Sequence, residues 1–157
     1  MVPSPLGKIN GNGFYYWLYL FFGKKEIQQI YRYAIDCIVC IEPVAKPYGG
    51  EYFFTVEEIV QSLAEYSLSH VATMIDTNSA WLESQWPEDV LLQYFPYIKH
   101  VHISDQNIGA IICQDKHERF AEALRNTEYE GGVIRELLKA KNYPGEYDYF
   151  AQIYKPS

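Results

Sequence analysis

Short apolar runs alternate along the chain with segments whose apolar residues recur at helical spacing. Three runs, residues 38–41, 72–75 and 100–102, are typical of short buried strands. Each interval between them is long enough for a loop, a crossover helix and the next parallel strand. The alternation predicts an α/β fold with a parallel sheet.

Helix start signals lie in the intervals between these runs. Thr55-x-x-Glu58 is a capping box, and Pro87 is suited to a first helical position. The helix opened by Pro87 is expected to continue to about Lys99. Apolar residues at i, i+3 and i+4 predict two more helices. One begins in the aromatic segment 14–22 or at residue 24 and ends at about residue 34, and the other covers residues 117–125.

The last part of the chain predicts one more helix and a closing strand. Apolar residues in 133–138 mark the helix, and alternating aromatics in 147–154 mark the strand. Residues 2–5 are expected to end an earlier strand. The predicted order is therefore αβαβαβααβ, with about five parallel strands.

Each of the three apolar runs ends in a side chain that can bind a metal ion. These side chains are Glu42, Asp76 and His102. Parallel strands bring their carboxyl ends to one rim, where α/β sheets and barrels bind ligands. Any one of them alone is explained as well by a helix N-cap or a solvated loop. Together they predict a divalent-metal site.

Composition and charge narrow the class of protein. The length predicts a single domain over residues 1–157. A net charge of −7 argues against nucleic-acid binding, which depends on basic side chains. The aromatic segment 14–22 is too short to span a membrane, and its alternatives are a core segment or a docking surface. Cys37-x-x-Cys40 lacks a second pair, so we expect reduced thiols in a cytoplasmic protein.

Several motifs resemble the second half of a known barrel. They are residues 39–43 (VCIEP), 74–78 (MIDTN), 100–105 (HVHISD), 138–145 (a Leu, Tyr and Gly pattern) and 2–5 (VPSP). In this order and spacing they resemble the sugar phosphate isomerase/epimerase superfamily, the xylose isomerase-like TIM barrels that include D-tagatose 3-epimerase. The resemblance implies a partial (β/α)8 barrel covering the C-terminal half.

The resemblance also implies a metal centre and a reaction. In this family a Glu, an Asp, a His and a second Glu hold one divalent ion, and Glu42, Asp76 and His102 match the first three. Glu42 would also act as the catalytic base in proton transfer next to a sugar carbonyl, through an enediolate. Ligands without thiolate suit Mn²⁺, Mg²⁺ or Co²⁺ better than Zn²⁺.

This chain departs from the family pattern at three places. The expected second Glu falls near Phe150, where Gln152 is the nearest polar candidate for a fourth metal ligand. A glutamine can coordinate but cannot act as a base. Ser79 stands where relatives often have a substrate-binding His, and residues 107–109 lack the usual Arg.

Three residues are candidates for substrate binding. Ser79 takes the place of the family His, Trp81 can stack on a sugar, and His100 shares a strand face with His102. Each has a structural alternative. Trp81 is equally suited to packing over the rim, and His100 to a hydrogen-bonded core position. Asp105 is expected either to orient His102 or to be solvated in a loop.

We interpret the sequence as that of a metal-dependent sugar or sugar phosphate isomerase/epimerase. The alternative is a catalytically inactive barrel remnant that serves as a binding or assembly module. A relative of endonuclease IV is disfavoured, because four His and a net charge of −7 do not suit its zinc cluster and DNA face. A half barrel exposes sheet edges, which predicts self-association or a missing N-terminal half.

Overall fold

The computed structural model describes residues 38–50, 53–66, 71–138 and 143–155. The strand end predicted at 2–5, the aromatic segment 14–22 and the helix predicted at 24–34 lie outside these residues. Nothing in the described part tests the single-domain prediction for 1–157.

Four strands form one parallel sheet in the order in which they occur along the chain. They are β1 (Val39–Ile41), β2 (Val71–Asp76), β3 (Ile98–Ile103) and β4 (Gly132–Arg135). Each step from strand to strand passes through at least one helix, as parallel pairing requires. The α/β class with a parallel sheet is confirmed, with four strands in the described residues rather than about five.

The described residues contain five α-helices, which connect or follow the strands. They are α1 (Val56–Tyr66), α2 (Thr77–Leu82), α3 (Pro87–Tyr94), α4 (Gln114–Asn126) and α5 (Tyr143–Tyr154). The capping box is confirmed, because Thr55 Oγ1 accepts the Glu58 N–H at 3.3 Å. Among the described residues, no helix is long and apolar enough to cross a membrane.

The helix that begins at Pro87 ends earlier than predicted. It stops at Tyr94, a 3₁₀ turn covers Phe95–Tyr97, and Lys99 already belongs to β3. Pro96 contributes to the difference, since a proline has no N–H to continue the ladder of helical hydrogen bonds, and Tyr94 already leaves the α conformation with φ −118° and ψ 18°.

The two predicted elements at the end of the chain are exchanged. Residues 133–138, expected to be helical, contain most of β4, and residues 147–154, expected to form a strand, lie in α5. The described order is therefore βαβααβαβα. In α5, Phe150, Ile153 and Tyr154 lie at i, i+3 and i+4 and face the core, so the helical period accounts for their burial.

The two faces of the sheet have different surroundings. Ile75, Val101 and Ile103 point to the helices and share a core with Leu91 and Phe120. Burial of one such side chain stabilises the fold by roughly 1.5–3 kcal/mol. Because side chains alternate along a strand, Asp76 and His102 point to the opposite face, which is the inner face of a barrel.

Candidate metal centre

Four side chains from four strands meet at the carboxyl ends of the sheet. They are Glu42, Asp76, His102 and Glu136, and their ligand atoms all lie within 4.8 Å of one another. The register explains the meeting. Asp76 pairs with His102 and His102 with Ile134, so Glu136, two residues beyond Ile134, returns to the same face.

The imidazole of His102 lies among the carboxylates. Its Nδ1 is 2.8 Å from Glu136 Oε2 and 3.5 Å from Glu42 Oε1. The atom is buried. A buried imidazole nitrogen that faces two carboxylate oxygens fits a place in the ligand set of a divalent cation.

The charges of the cluster also favour a bound divalent cation. Burial raises the pKa of Asp76 to about 7, and the nearby charges of Glu42 and Glu136 add to the effect. Burial alone would lower the pKa of His102, but the carboxylates of Glu136 and Glu42 outweigh it and raise it to about 10. Three carboxylates around one imidazole are an arrangement that a divalent cation stabilises.

Asp76 also begins the helix that follows it. Its Oδ1 accepts the Ser79 N–H at 2.6 Å, which makes Asp76 the N-cap of α2. The N-cap and the position in the cluster are compatible, because a carboxylate has two oxygens. The bond to Ser79 also fixes the direction of the carboxylate.

The fourth position differs from the predicted one. Gln152, predicted as the fourth metal ligand, is exposed on α5 and not at the end of a strand, so the structure does not bring it to the cluster. Glu136, which directly follows β4, stands there instead and is 6% exposed. A signal for it exists in the sequence, because the interval from His102 to Glu136 equals that from Glu42 to Asp76.

The three predicted substrate-binding residues lie in different surroundings. Ser79 is buried and holds Asp76 through its backbone N–H. Trp81 packs edge-on against His117, with 5.0 Å between the ring centroids. Lys116 Nζ lies 5.0 Å from the centroid of the Trp81 ring. Both surroundings are those of structural side chains.

His100 lies on the inner face, with its ring 5.0 Å from that of His102. Gly132 stands opposite in β4, and a Cβ there would be 2.8 Å from His100 Nδ1, so glycine makes room for this imidazole. Burial lowers the pKa of His100, and the charge of His102 lowers it further. His100 is therefore a neutral, partly accessible polar group beside the cluster.

Asp105 does not orient His102 and is not solvated. Its carboxylate accepts the backbone N–H groups of Gln106, Ile112 and Cys113 at 2.8–2.9 Å. Burial works to raise the pKa of Asp105, but these three donors outweigh it and the pKa is lowered. Asp105 thus holds the loop between β3 and α4 in place.

Behind this loop, His117 links Asp105 to the C-terminal helix. His117 Nδ1 lies 2.6 Å from the Tyr154 hydroxyl, and Nε2 lies 3.7 Å from Asp105 Oδ2. Burial lowers the pKa of His117 to about 4, despite the nearby Asp105 charge. A neutral His117 that accepts the Tyr154 O–H is consistent with this geometry.

Comparison with known proteins identifies sugar epimerases. No family model matches the chain. A D-psicose 3-epimerase from Enterocloster bolteae is 25% identical over 118 residues, which are 71% of this chain and 38% of that protein. Among solved structures, the 3-keto-D-glucoside 4-epimerase YcjR from E. coli has a TM-score of 0.70 at 20% identity, covering 83% of this chain and 51% of that one.

A D-psicose 3-epimerase solved in the presence of D-fructose is similar as well. It has a TM-score of 0.62 at 22% identity, over 76% of this chain and 42% of that one. The chain thus spans about half or less of the length of these relatives. The resemblance seen in the sequence is confirmed, and the chain has the fold of part of the sugar isomerase/epimerase TIM-barrel superfamily.

Proposed function

We propose that this protein is a metal-dependent sugar or sugar phosphate isomerase/epimerase that transfers a proton next to a carbonyl through an enediolate. The observation that carries the proposal is the cluster of Glu42, Asp76, His102 and Glu136, with ligand atoms within 4.8 Å. Similarity to sugar epimerases supports the substrate class.

The same four residues would hold one divalent ion. A set of carboxylates and one imidazole, without thiolate, favours Mn²⁺, Mg²⁺ or Co²⁺ over Zn²⁺. When bound, such an ion supplies Lewis-acid polarisation of the sugar carbonyl.

Two of the carboxylates are suited to proton transfer. Glu42 follows β1 and Glu136 follows β4, so they approach the inner face from the two outer strands of the described sheet. We assign Glu42 as the base that removes the proton beside the carbonyl and Glu136 as the acid that returns one. With Glu136 in this position, two-base chemistry no longer depends on Gln152.

Of the three candidate substrate-binding residues, we assign a substrate contact to one. His100, neutral and partly accessible on the inner face, is assigned to a sugar hydroxyl. The surroundings of Ser79 and Trp81 support structural roles instead: Ser79 holds Asp76, and Trp81 packs on His117.

The inner face also supports the proposal of a protein partner. Ile38 and Ile134, beside or within the outer strands β1 and β4, are 57% and 50% exposed, whereas barrel interiors are filled by packed side chains. We propose that a second copy of the chain or an N-terminal half barrel packs against this face. We also propose that the protein is a cytoplasmic enzyme of carbohydrate metabolism. Sedimentation of the purified chain at several concentrations tests self-association.

Deuterium exchange tests the proposed chemistry directly. The protein is incubated with D-psicose or D-fructose in D₂O, with Mn²⁺ or with a chelator, and label at the carbon next to the carbonyl is measured by NMR. We expect exchange with Mn²⁺, none with the chelator, and none in Glu42→Gln or Glu136→Gln. Gln152→Ala is the matched control and should retain exchange.

One observation favours a second function, a metal-binding module without turnover. Residues 107–109 carry no basic side chain, and Ser79 replaces the family His, so two of the usual sugar contacts are absent. Mn²⁺ binding that depends on Glu136, without deuterium exchange in any ketose offered, would favour this module. Exchange would exclude it.

A further inference from the structure

We propose that α2 is a bracket that sets the spacing of the metal ligands, with Thr77 as its principal positioning residue. The inference rests on the proposed metal centre. The four residues from Asp76 to Ser79 are all polar and nearly fully buried, with exposures of 4%, 0%, 2% and 6%. Asp76 is a ligand, and the backbone of Ser79 caps it, but neither role explains the other two buried polar side chains.

Thr77 joins the ends of β2 and β3. Its Oγ1 donates to the Ser104 carbonyl at 2.7 Å and accepts the Ser104 N–H at 3.0 Å. Thr77 directly follows Asp76, and Ser104 lies two residues after His102. One hydroxyl therefore ties together the segments that carry two of the ligands, at the point where the ladder of the sheet ends.

The next residue joins α2 to the other side of the cluster. Asn78 Nδ2 donates to the Tyr48 hydroxyl at 2.7 Å. At the other end of α2, Glu83 Oε1 accepts the Lys46 N–H at 2.8 Å, with Lys46 Nζ 3.7 Å from Oε2. Both partners belong to the 3₁₀ turn Lys46–Tyr48, which follows Glu42.

The placement of these bonds explains why a bracket is needed. Ladder hydrogen bonds keep strands in register but stop at the strand ends, whereas a metal site requires ligand positions within about 0.5 Å. Side-chain bonds beyond the strand ends supply that precision. Those of α2 reach towards β1 on one side and β3 on the other, and Asp76 stands between them.

The chain offers a matched control for Thr77. Thr73 lies on β2, the strand that Thr77 follows, is also 0% exposed, and donates from Oγ1 to the Ile41 carbonyl at 3.0 Å. Thr73→Val and Thr77→Val each remove one buried hydroxyl from β2 or its end. Only Thr77 bridges segments beyond the ladder, and Thr77→Ser restores its hydroxyl.

The experiment measures Mn²⁺ affinity by titration calorimetry and exchange of the Ser104 amide by NMR, in the full chain. For Thr77→Val we expect the Mn²⁺ Kd to rise about 10- to 100-fold, the usual effect of losing a residue that orients a ligand. The Ser104 amide should exchange faster, even with chelator present. Thr73→Val should keep its Kd within about twofold of wild type, and Thr77→Ser should recover it.

Equal losses of Mn²⁺ affinity in Thr77→Val and Thr73→Val would overturn the bracket, because the effect would then follow stability alone. If the wild type binds no Mn²⁺, the proposed function fails. The exchange rate of the Ser104 amide then decides whether Thr77 holds the ends of β2 and β3 together. Faster Ser104 exchange in Thr77→Val than in Thr73→Val supports it, and unchanged protection overturns it. If Thr77→Val does not fold, Tyr48→Phe takes its place, and an unchanged Kd in that variant overturns the bracket.

Discussion

Asp76 and Asp105 are alike in exposure and position but opposite in electrostatics. Each lies at or just beyond the end of a strand, and they are 4% and 5% exposed. Burial raises the pKa of Asp76 to about 7, with two further carboxylates adding to it, whereas three backbone N–H donors lower the pKa of Asp105. A buried carboxylate among other carboxylates indicates a cation site, and one surrounded by N–H donors is a structural anchor.

The largest expected effect is on metal binding and comes from Asp76→Asn. The Mn²⁺ Kd should rise beyond the about 10- to 100-fold typical of residues that only orient a ligand. Without metal, the melting temperature should stay equal or rise, because asparagine still caps α2 and one of three crowded negative charges is removed. Calorimetry and thermal unfolding in chelator measure the two quantities. A large loss of stability without metal would contradict the contrast between the two aspartates.

The converse change is Asp105→Ala, which should destabilise the protein without weakening metal binding. It removes the charged acceptor of three backbone N–H groups, so we expect a loss of about 3 kcal/mol in unfolding free energy. Urea unfolding measures the loss, and Asp115→Ala, an exposed residue in the first turn of α4, is the control. A weakened Mn²⁺ affinity at full folding would show that Asp105 acts on the metal centre after all.

The stability that the structure around Asp105 contributes should also depend on pH, because His117 is buried beside it. Its pKa of about 4 lies below the ordinary value of 6.5, so between these values the unfolded chain binds the proton more readily. Its contribution to stability is complete above pH 6.5 and is lost as the pH falls towards 4. The stability advantage of wild type over His117→Gln should shrink by about 2 kcal/mol between pH 7 and pH 5. Urea unfolding at both values measures it, and a constant difference would contradict a buried neutral His117.

The smallest effect should come from Tyr154→Phe. The change removes the hydroxyl 2.6 Å from His117 Nδ1, and we expect a loss of about 1–2 kcal/mol in stability with unchanged Mn²⁺ affinity. Tyr147→Phe, at a tyrosine that is 59% exposed, is the control and should have no measurable effect. Equal stability of the two variants would show that the bond between Tyr154 and His117 does not stabilise the fold.

The sequence predicted Glu42, Asp76 and His102 because each ends a short apolar run, and parallel strands bring such ends to one rim. The same reasoning did not predict Glu136, because Val133 and Ile134 are the only aliphatic residues of β4. Their neighbours fit a helix equally well. The same ambiguity made 147–154 appear to be a strand. Packing against the core selects the helical period there, and that choice leaves Gln152 exposed on α5.

The sequence by itself determined the α/β class, the capping box at Thr55 and three members of the cluster, because these depend on local periodicity and on which side chain ends a run. Only the tertiary structure decided that Glu136 is the fourth member and that Asp105 is an anchor rather than a partner of His102. The physical reason is that the pKa of a buried carboxylate depends on the donors and charges around it in space. Those around Asp76 come from neighbouring strands and those around Asp105 from the folded loop, so neither set can be read from residues adjacent in the chain.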